Sequence, residues 1–441
     1  MSDQVENRVA AQGFRVMEGL ALSSQLPPLE WSPISIPTVG GGSIFLSDKL
    51  LSGHLLVMGG IGQGKTNAIY HLLHAVREGL RERDIAVIFD PKGDYLRRFW
   101  RPGDIVINDP RLAEDERPWN LLAELEASQQ ESHDREETAN EIAHTLFDDD
   151  VEGSSQPFFP LAAMQLFAAS IAHPELLARD GPGTQLSNTS ICRYWTNPRP
   201  KIVEDLGLDA DTRGLVNYIG DQGEQAGGVL ASLTQVLRDV FVGRFRNPGN
   251  LSVRKTVRER GGRCLFIEYR IRAGKALARL FRLLMDLAIK EALTSSLGTT
   301  DRVYFFLDEL RLVPRLMHLD HGLNFGREFG LRFVVGIQSH AQIRAAYDDE
   351  ADSILAGFNT VLAFRTTNPE TRAFIQGIAG TNQKLVLLSK IPGHPFQQVV
   401  KGQVVEDHDI WELRRGQAIV FVPGHGPFVT QLEEYESNQV R

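Results

Sequence analysis

The sequence predicts an α/β fold: a mostly parallel central sheet flanked by helices, with an inserted all-α domain. Three observations carry that prediction. Short, continuous apolar runs of strand length alternate with stretches that repeat apolar residues at helical spacing, which is the grammar of a doubly wound parallel sheet. A glycine-rich turn joins the first such strand to the first such helix. Residues 116–227 break the alternation with helical stretches, Pro/Gly-rich turns and little strand signal.

Residues 1–45 read as a lead-in, with proline breakers near 27–37 and then Gly40–Gly42. His54–Met58 is continuous and apolar, as a strand buried on both faces requires. In Thr66–Glu82, Ile69, Leu72, Leu73, Val76 and Leu80 share one helical face. Ile85–Phe89 is a second buried strand and Ile105–Ile107 a short third. The insertion supplies helices at Glu136–Phe147 and Leu161–Ala172. The alternation then resumes with helices at Val229–Phe241 and Lys275–Leu293 and strands at Cys264–Glu268, Val303–Leu307, Phe333–Ile337 and Thr360–Ala363. Val399–Gln431 reads as short strands with Gly/Pro turns, and 431–441 as a tail. The expected motor-type domain is therefore 46–115 joined to 228–430, and 116–227 is the insertion.

A chain of 441 residues, 42% hydrophobic and 23% charged, has the composition of a globular protein with room for two domains. Cys192 and Cys264 form neither a CxxC pair nor a disulfide framework, which fits a reducing cytoplasm. No apolar stretch approaches the ~20 residues of a spanning helix, so no integral membrane segment is expected. The net charge of −9 is unevenly spread. From Arg238 to Arg282 there are thirteen Arg/Lys and three acids; from Glu131 to Glu152 there are nine acids and one Arg. Such segregation fits two surfaces with different tasks, or solvated faces and contacts between subunits.

Gly59, Gly60, Ile61, Gly62, Gln63, Gly64, Lys65 and Thr66 spell GxxxxGK[ST] between a strand and a helix, the context that gives the motif its meaning. The glycines let backbone N–H groups turn inward as an anion nest, and the helix N-terminus adds favourable partial charge. Lys65 would reach the β- and γ-phosphates of ATP, Thr66 would offer its hydroxyl to Mg²⁺, and Asn67 continues the nucleotide-binding run. Four apolar residues then end in Asp308 and Glu309. A buried strand closing on two carboxylates puts them at the sheet edge that carries the phosphate loop. Asp308 would hold Mg²⁺ through water, and Glu309 would act as general base on the attacking water. Other chemistries find little support. There is no HExxH, no GxSxG elbow, and a dinucleotide loop needs no Lys-Thr pair.

Several blocks, in order, resemble the type IV coupling proteins of bacterial conjugation, the TraG/TraD type, which are RecA-like P-loop motors related to FtsK and HerA. The blocks are Gly53–Val57 before the phosphate loop, Asp90-Pro91-Lys92-Gly93-Asp94, Phe306–Glu309, Gly326–Arg332 and Gly336-Ile337-Gln338-Ser339. The resemblance covers roughly 50–115 and 228–430, with the helical insertion where the family has its all-helical domain. It implies a hexameric ring that pumps single- or double-stranded DNA, with Gln338 sensing the γ-phosphate and Arg327 reaching a neighbouring subunit's nucleotide as an arginine finger. It places Asp90 and Lys92 near the γ-phosphate or along the central channel. It also implies a secretion or relaxase partner, through which a cytoplasmic chain would sit at the inner membrane. Two other activities fit the same site: a secretion-type ATPase that moves protein, and a non-motor ATP-binding switch in a defence or mobile-element system.

Overall fold

The computed structural model describes residues 10–12, 30, 32–107, 118–127, 132–179, 185–220, 223–268, 277–296, 300–313, 315–387 and 397–436. Nine strands form the central sheet: β1 (Leu55–Met58), β2 (Ile85–Asp90), β3 (Ile105–Ile107), β4 (Arg263–Glu268), β5 (Val303–Leu307), β6 (Leu331–Ile337), β7 (Thr360–Phe364), β8 (Gln417–Phe421) and β9 (Phe428–Gln431). Their spatial order is β9-β8-β7-β1-β6-β5-β2-β4-β3. The seven strands from β7 to β3 run parallel, and β8 and β9 add an antiparallel edge. This is the RecA-like P-loop architecture expected from the sequence. β1, β2 and β5–β7 are buried at every position, so their sequences show no alternation. His54 differs from its expected place at the start of β1. It takes a φ of 56°, and its ring accepts from the Phe333 N–H at 3.2 Å and bonds the Leu323 carbonyl at 3.0 Å. Burial pushes its pKa down to about 4, so the ring is neutral.

One sheet face packs on α1 (Lys65–Gly79), α2 (Asp94–Phe99) and the short helix Asp48–Leu51, and most of the other described helices belong to the core on the opposite face. Leu55 and Val57 belong to the first core, Leu56 and Met58 to the second, as strand alternation requires. Part of the expected lead-in is integral to the fold. Ser35–Thr38 and Gly42–Phe45 pair as a hairpin whose Ile36 and Ile44 are wholly buried in the α1 core. The expected tail is anchored as well: Asn67 donates to the Glu433 carbonyl at 2.7 Å and accepts from the Tyr435 N–H at 2.7 Å. Residues 1–9 and 13–29 lie outside the described residues.

The insertion contains α3 (Leu121–Ala127), α4 (Ser132–Gly153), α5 (Phe158–Ala172) and α6 (Glu224–Val240), with short helices between. The boundary expected at 227/228 falls inside α6, which packs on α5. The chain returns to the sheet domain near Leu251, where it bridges Trp119 and the two connections lie side by side. Buried Glu124 ties them together. It accepts from Trp119 Nε1 (2.7 Å), the Ser252 hydroxyl (2.7 Å) and the Val253 and Arg254 N–H groups (2.6 and 3.0 Å). α7 (Val253–Glu259) and α8 (Ala278–Leu293) follow.

The charge segregation is largely resolved within the chain. Acids of α4 meet bases of α8: Arg279–Asp150 at 2.6 Å, Arg282–Asp149 at 3.0 Å and Lys290–Glu141. Arg315–Glu152 and His318–Glu141 extend the seam. Arg254 and Arg258 share Glu291, and Arg260 pairs with Asp301. These bases are therefore answered by acids of the same chain. Arg270, Arg272 and Lys275 lie outside the described residues.

Candidate nucleotide site

The phosphate loop leaves β1 at Gly59 and enters α1 at Lys65. Gly59, Gly62 and Gly64 adopt φ of 148°, 73° and 121°, values that side-chain-bearing residues rarely take. A Cβ on Gly59 would also stand 2.7 Å from that of Phe364. The neighbouring strands hold the loop: the Gly60 N–H donates to the Arg365 carbonyl at 2.8 Å, and the Gly416 N–H to that of Gln63 at 2.9 Å. Lys65 Nζ lies 2.8 Å from the Gly59 carbonyl and 3.0 Å from that of Gly60, at the mouth of its own loop. Burial lowers its pKa, and Asp308 and Glu309 oppose that shift. Ile61, at the loop's tip, is 80% exposed, and Gln63 reaches only the Ile61 carbonyl.

The acidic pair ends β5, one strand away from β6 and two from β1. Thr66 Oγ1 donates to Asp308 Oδ2 at 2.8 Å. The hydroxyl and carboxylate that the sequence assigns to one cation are thus in direct contact. Burial raises the Asp308 pKa against the pull of Thr66, Tyr95 and Lys65, so the site favours a cation that answers this charge. Gln338 Nε2 donates to Glu309 Oε2 at 2.5 Å, and Arg311 lies 3.8 Å from Oε1. Burial raises the Glu309 pKa, and the Gln338 bond is the main opposing effect. Gly336 permits this assembly, because a Cβ there would be 2.2 Å from the Asp308 carbonyl.

The remaining expected residues are placed differently. The Asp90 carboxylate is wholly buried and accepts from the backbone N–H of Lys92 (3.3 Å), Asp94 (3.1 Å) and Leu96 (2.8 Å). It shapes the turn into α2 instead of facing the loop, while Lys92 is exposed and acts electrostatically on Lys65 and Asp308. The Asn67 amide is engaged by the 433–435 segment. Arg327 precedes β6 and lines a cleft with Asp48, Lys49 and Arg332 at the strands' N-terminal edge. The phosphate loop follows β1, which is parallel to β6, so Arg327 and the loop lie at opposite edges of one chain's sheet. Sequence reasoning missed Tyr95, a fully buried phenol whose pKa is raised by burial and by the neighbouring Asp308 carboxylate. It missed Arg311 too. Their only sequence signal was nearness to recognised motifs.

Comparison with known proteins agrees with this geometry. Residues 39–385 match the type IV secretion-system coupling protein DNA-binding domain. Coupling protein TraD of Escherichia coli (strain K12) is 25% identical over 338 residues, covering 74% of this chain and 44% of TraD. The chain thus spans less than half of that relative's length. The plasmid coupling protein TrwB in complex with ADP and Mg²⁺ superposes with a TM-score of 0.70 at 23% identity, covering 98% of this chain and 95% of that one. TrwB in complex with a non-hydrolysable ATP analogue gives 0.73 at 22% identity, covering 98% and 96%. The fold is shared, and the domain match extends over most of the sequence: this chain belongs to the type IV secretion-system coupling protein DNA-binding domain family.

Proposed function

We propose that this protein is a Mg²⁺-dependent ATPase that moves DNA through a ring of its own copies. The observation that carries the reading is the Thr66–Asp308 contact beside the Glu309–Gln338 pair, both at the sheet edge that holds the phosphate loop. The loop amides and Lys65 bind the β- and γ-phosphates, and Thr66 and Asp308 are the groups that would hold Mg²⁺. When bound, the ion neutralises charge on the transferring phosphoryl group. Glu309 accepts the proton of the attacking water, and Gln338 fixes its carboxylate. TrwB crystallised with ADP and Mg²⁺ and with an ATP analogue, which supports ATP and Mg²⁺ here.

Support for DNA as the moved polymer comes from the family's description as a DNA-binding domain. A ring is supported by Arg327. It cannot reach its own chain's loop, and a neighbour's nucleotide is the partner its edge position suits. No described helix is long and apolar enough to cross a membrane; the reading places the protein at the inner membrane through a secretion or relaxase partner.

The test is steady-state ATP hydrolysis with and without single- and double-stranded DNA. Severalfold stimulation by DNA, abolished in Lys65→Ala and Glu309→Gln, supports the reading. Hydrolysis indifferent to DNA points to a protein-moving ATPase, and ATP binding without turnover to a switch.

A further inference from the structure

Arg365 follows directly on β7, and the register sets it beside the phosphate loop. Ala363 faces Met58, and the Arg365 carbonyl accepts from the Gly60 N–H at 2.8 Å. The side chain is half-buried, and its guanidinium makes no hydrogen bond or ion pair among the described residues. It lies 5.4 Å from the centre of the Trp411 ring, which is 45% exposed. Arg372 approaches the same ring at 5.6 Å but differs in its partners. Its Nε donates to the Asp407 carboxylate at 2.6 Å and its Nη1 to the Thr367 carbonyl at 2.7 Å. The charge of Arg372 is answered and that of Arg365 is not. Holding a cation partly out of water without a counter-ion is unfavourable, unless an anion completes the site.

The sheet order says where that anion would lie. Asp308, Glu309 and Gln338 end β5 and β6 on one side of β1, whereas Arg365 ends β7 on the other. The two groups bracket the loop. With the proposed hydrolytic residues on the first flank, the second is left for the part of the polyphosphate that remains in ADP. We propose that Arg365 binds the α- and β-phosphates of a nucleotide held in its own chain, with Trp411 as a positioning residue that fixes the guanidinium plane. A planar fork suits paired phosphate oxygens, and stacking on an indole holds the fork in place before the ligand arrives. The assignment rests on the ATPase reading and adds a binding group that the phosphate-loop motif does not contain.

Calorimetric titration with ADP and, separately, with inorganic pyrophosphate tests it. Arg365→Ala should weaken both ligands about tenfold or more, the loss of a charge-assisted contact, at an unchanged melting midpoint. Arg365→Lys should recover only part of the loss. Trp411→Ala should weaken both ligands less than Arg365→Ala, and Trp411→Phe should restore them. Wild-type affinity for both ligands in Arg365→Ala overturns the contact while leaving the ATPase reading intact. Loss for ADP alone overturns the phosphate assignment, since the contact would then be to ribose or base. A wild type that binds neither ligand overturns the ATPase reading and this contact together.

Discussion

At the scale of single residues, the site balances burial against hydrogen bonding. The general-base role proposed for Glu309 needs the ionised form, yet burial raises its pKa, and the Gln338 amide only partly opposes that shift. A hydrogen bond to the charged form favours that form, so removing it raises the pKa further. Gln338→Ala should therefore move the acid limb of the kcat–pH profile to higher pH and lower kcat at neutral pH, by about tenfold or more. An acid limb that stays in place would mean that Gln338 does not govern the protonation of Glu309. Much of this chemistry was legible in the sequence. Lys65 and Thr66 stand in a short motif whose spacing puts them at the start of a helix, and Asp308 and Glu309 in one that puts them at a strand end. Asp90 was less legible. A carboxylate beside glycine at a strand end can face a phosphate or its own backbone, and only the turn geometry shows that it accepts from three N–H groups.

At the scale of elements, the seam between α4 and α8 joins the inserted helices to the sheet domain. Arg282 is its best-buried base, with a side chain 6% exposed, and it donates to the Thr145 carbonyl at 2.6 Å as well as to Asp149. Arg315–Glu152 is more than half exposed on both sides and contributes little. Arg282→Ala should thus destabilise the protein by about 1–3 kcal/mol, read as a lower denaturant midpoint, with faster amide exchange in α4. Arg315→Ala should change the midpoint by less than about 1 kcal/mol. Equal effects would show that burial does not rank these pairs. The strands of this architecture were legible because buried parallel strands leave continuous apolar runs. The seam was not, because Asp149 and Arg282 are 133 residues apart and a charge run does not name its partner. The expected end of the insertion cuts a helix for a related reason: α6 keeps one helical periodicity across it. The hairpin at 35–45 was hidden by the prolines and glycines that suggested a lead-in.

At the scale of the whole molecule, the two ends of the sheet divide the work. The strands' C-terminal edge carries the phosphate loop, the acidic pair and Gln338, and the N-terminal edge carries Arg327. If Arg327 completes a neighbour's site, Lys65→Ala and Arg327→Ala proteins are each inactive alone. Mixed, they should regain part of the ATPase activity, because some junctions then combine an intact loop with an intact arginine. No recovery on mixing, with both variants assembled, would rule out a role in trans. The proposed ring was implied by the resemblance alone and not by the residues themselves, since assembly depends on surfaces that meet only between copies. If this site drives movement along DNA, as proposed, displacement of a third strand from a triplex-bearing duplex measures that directly. The expected result is displacement that requires ATP and Mg²⁺ and is lost in Glu309→Gln. ATP hydrolysis by the wild type with the third strand left in place would contradict it.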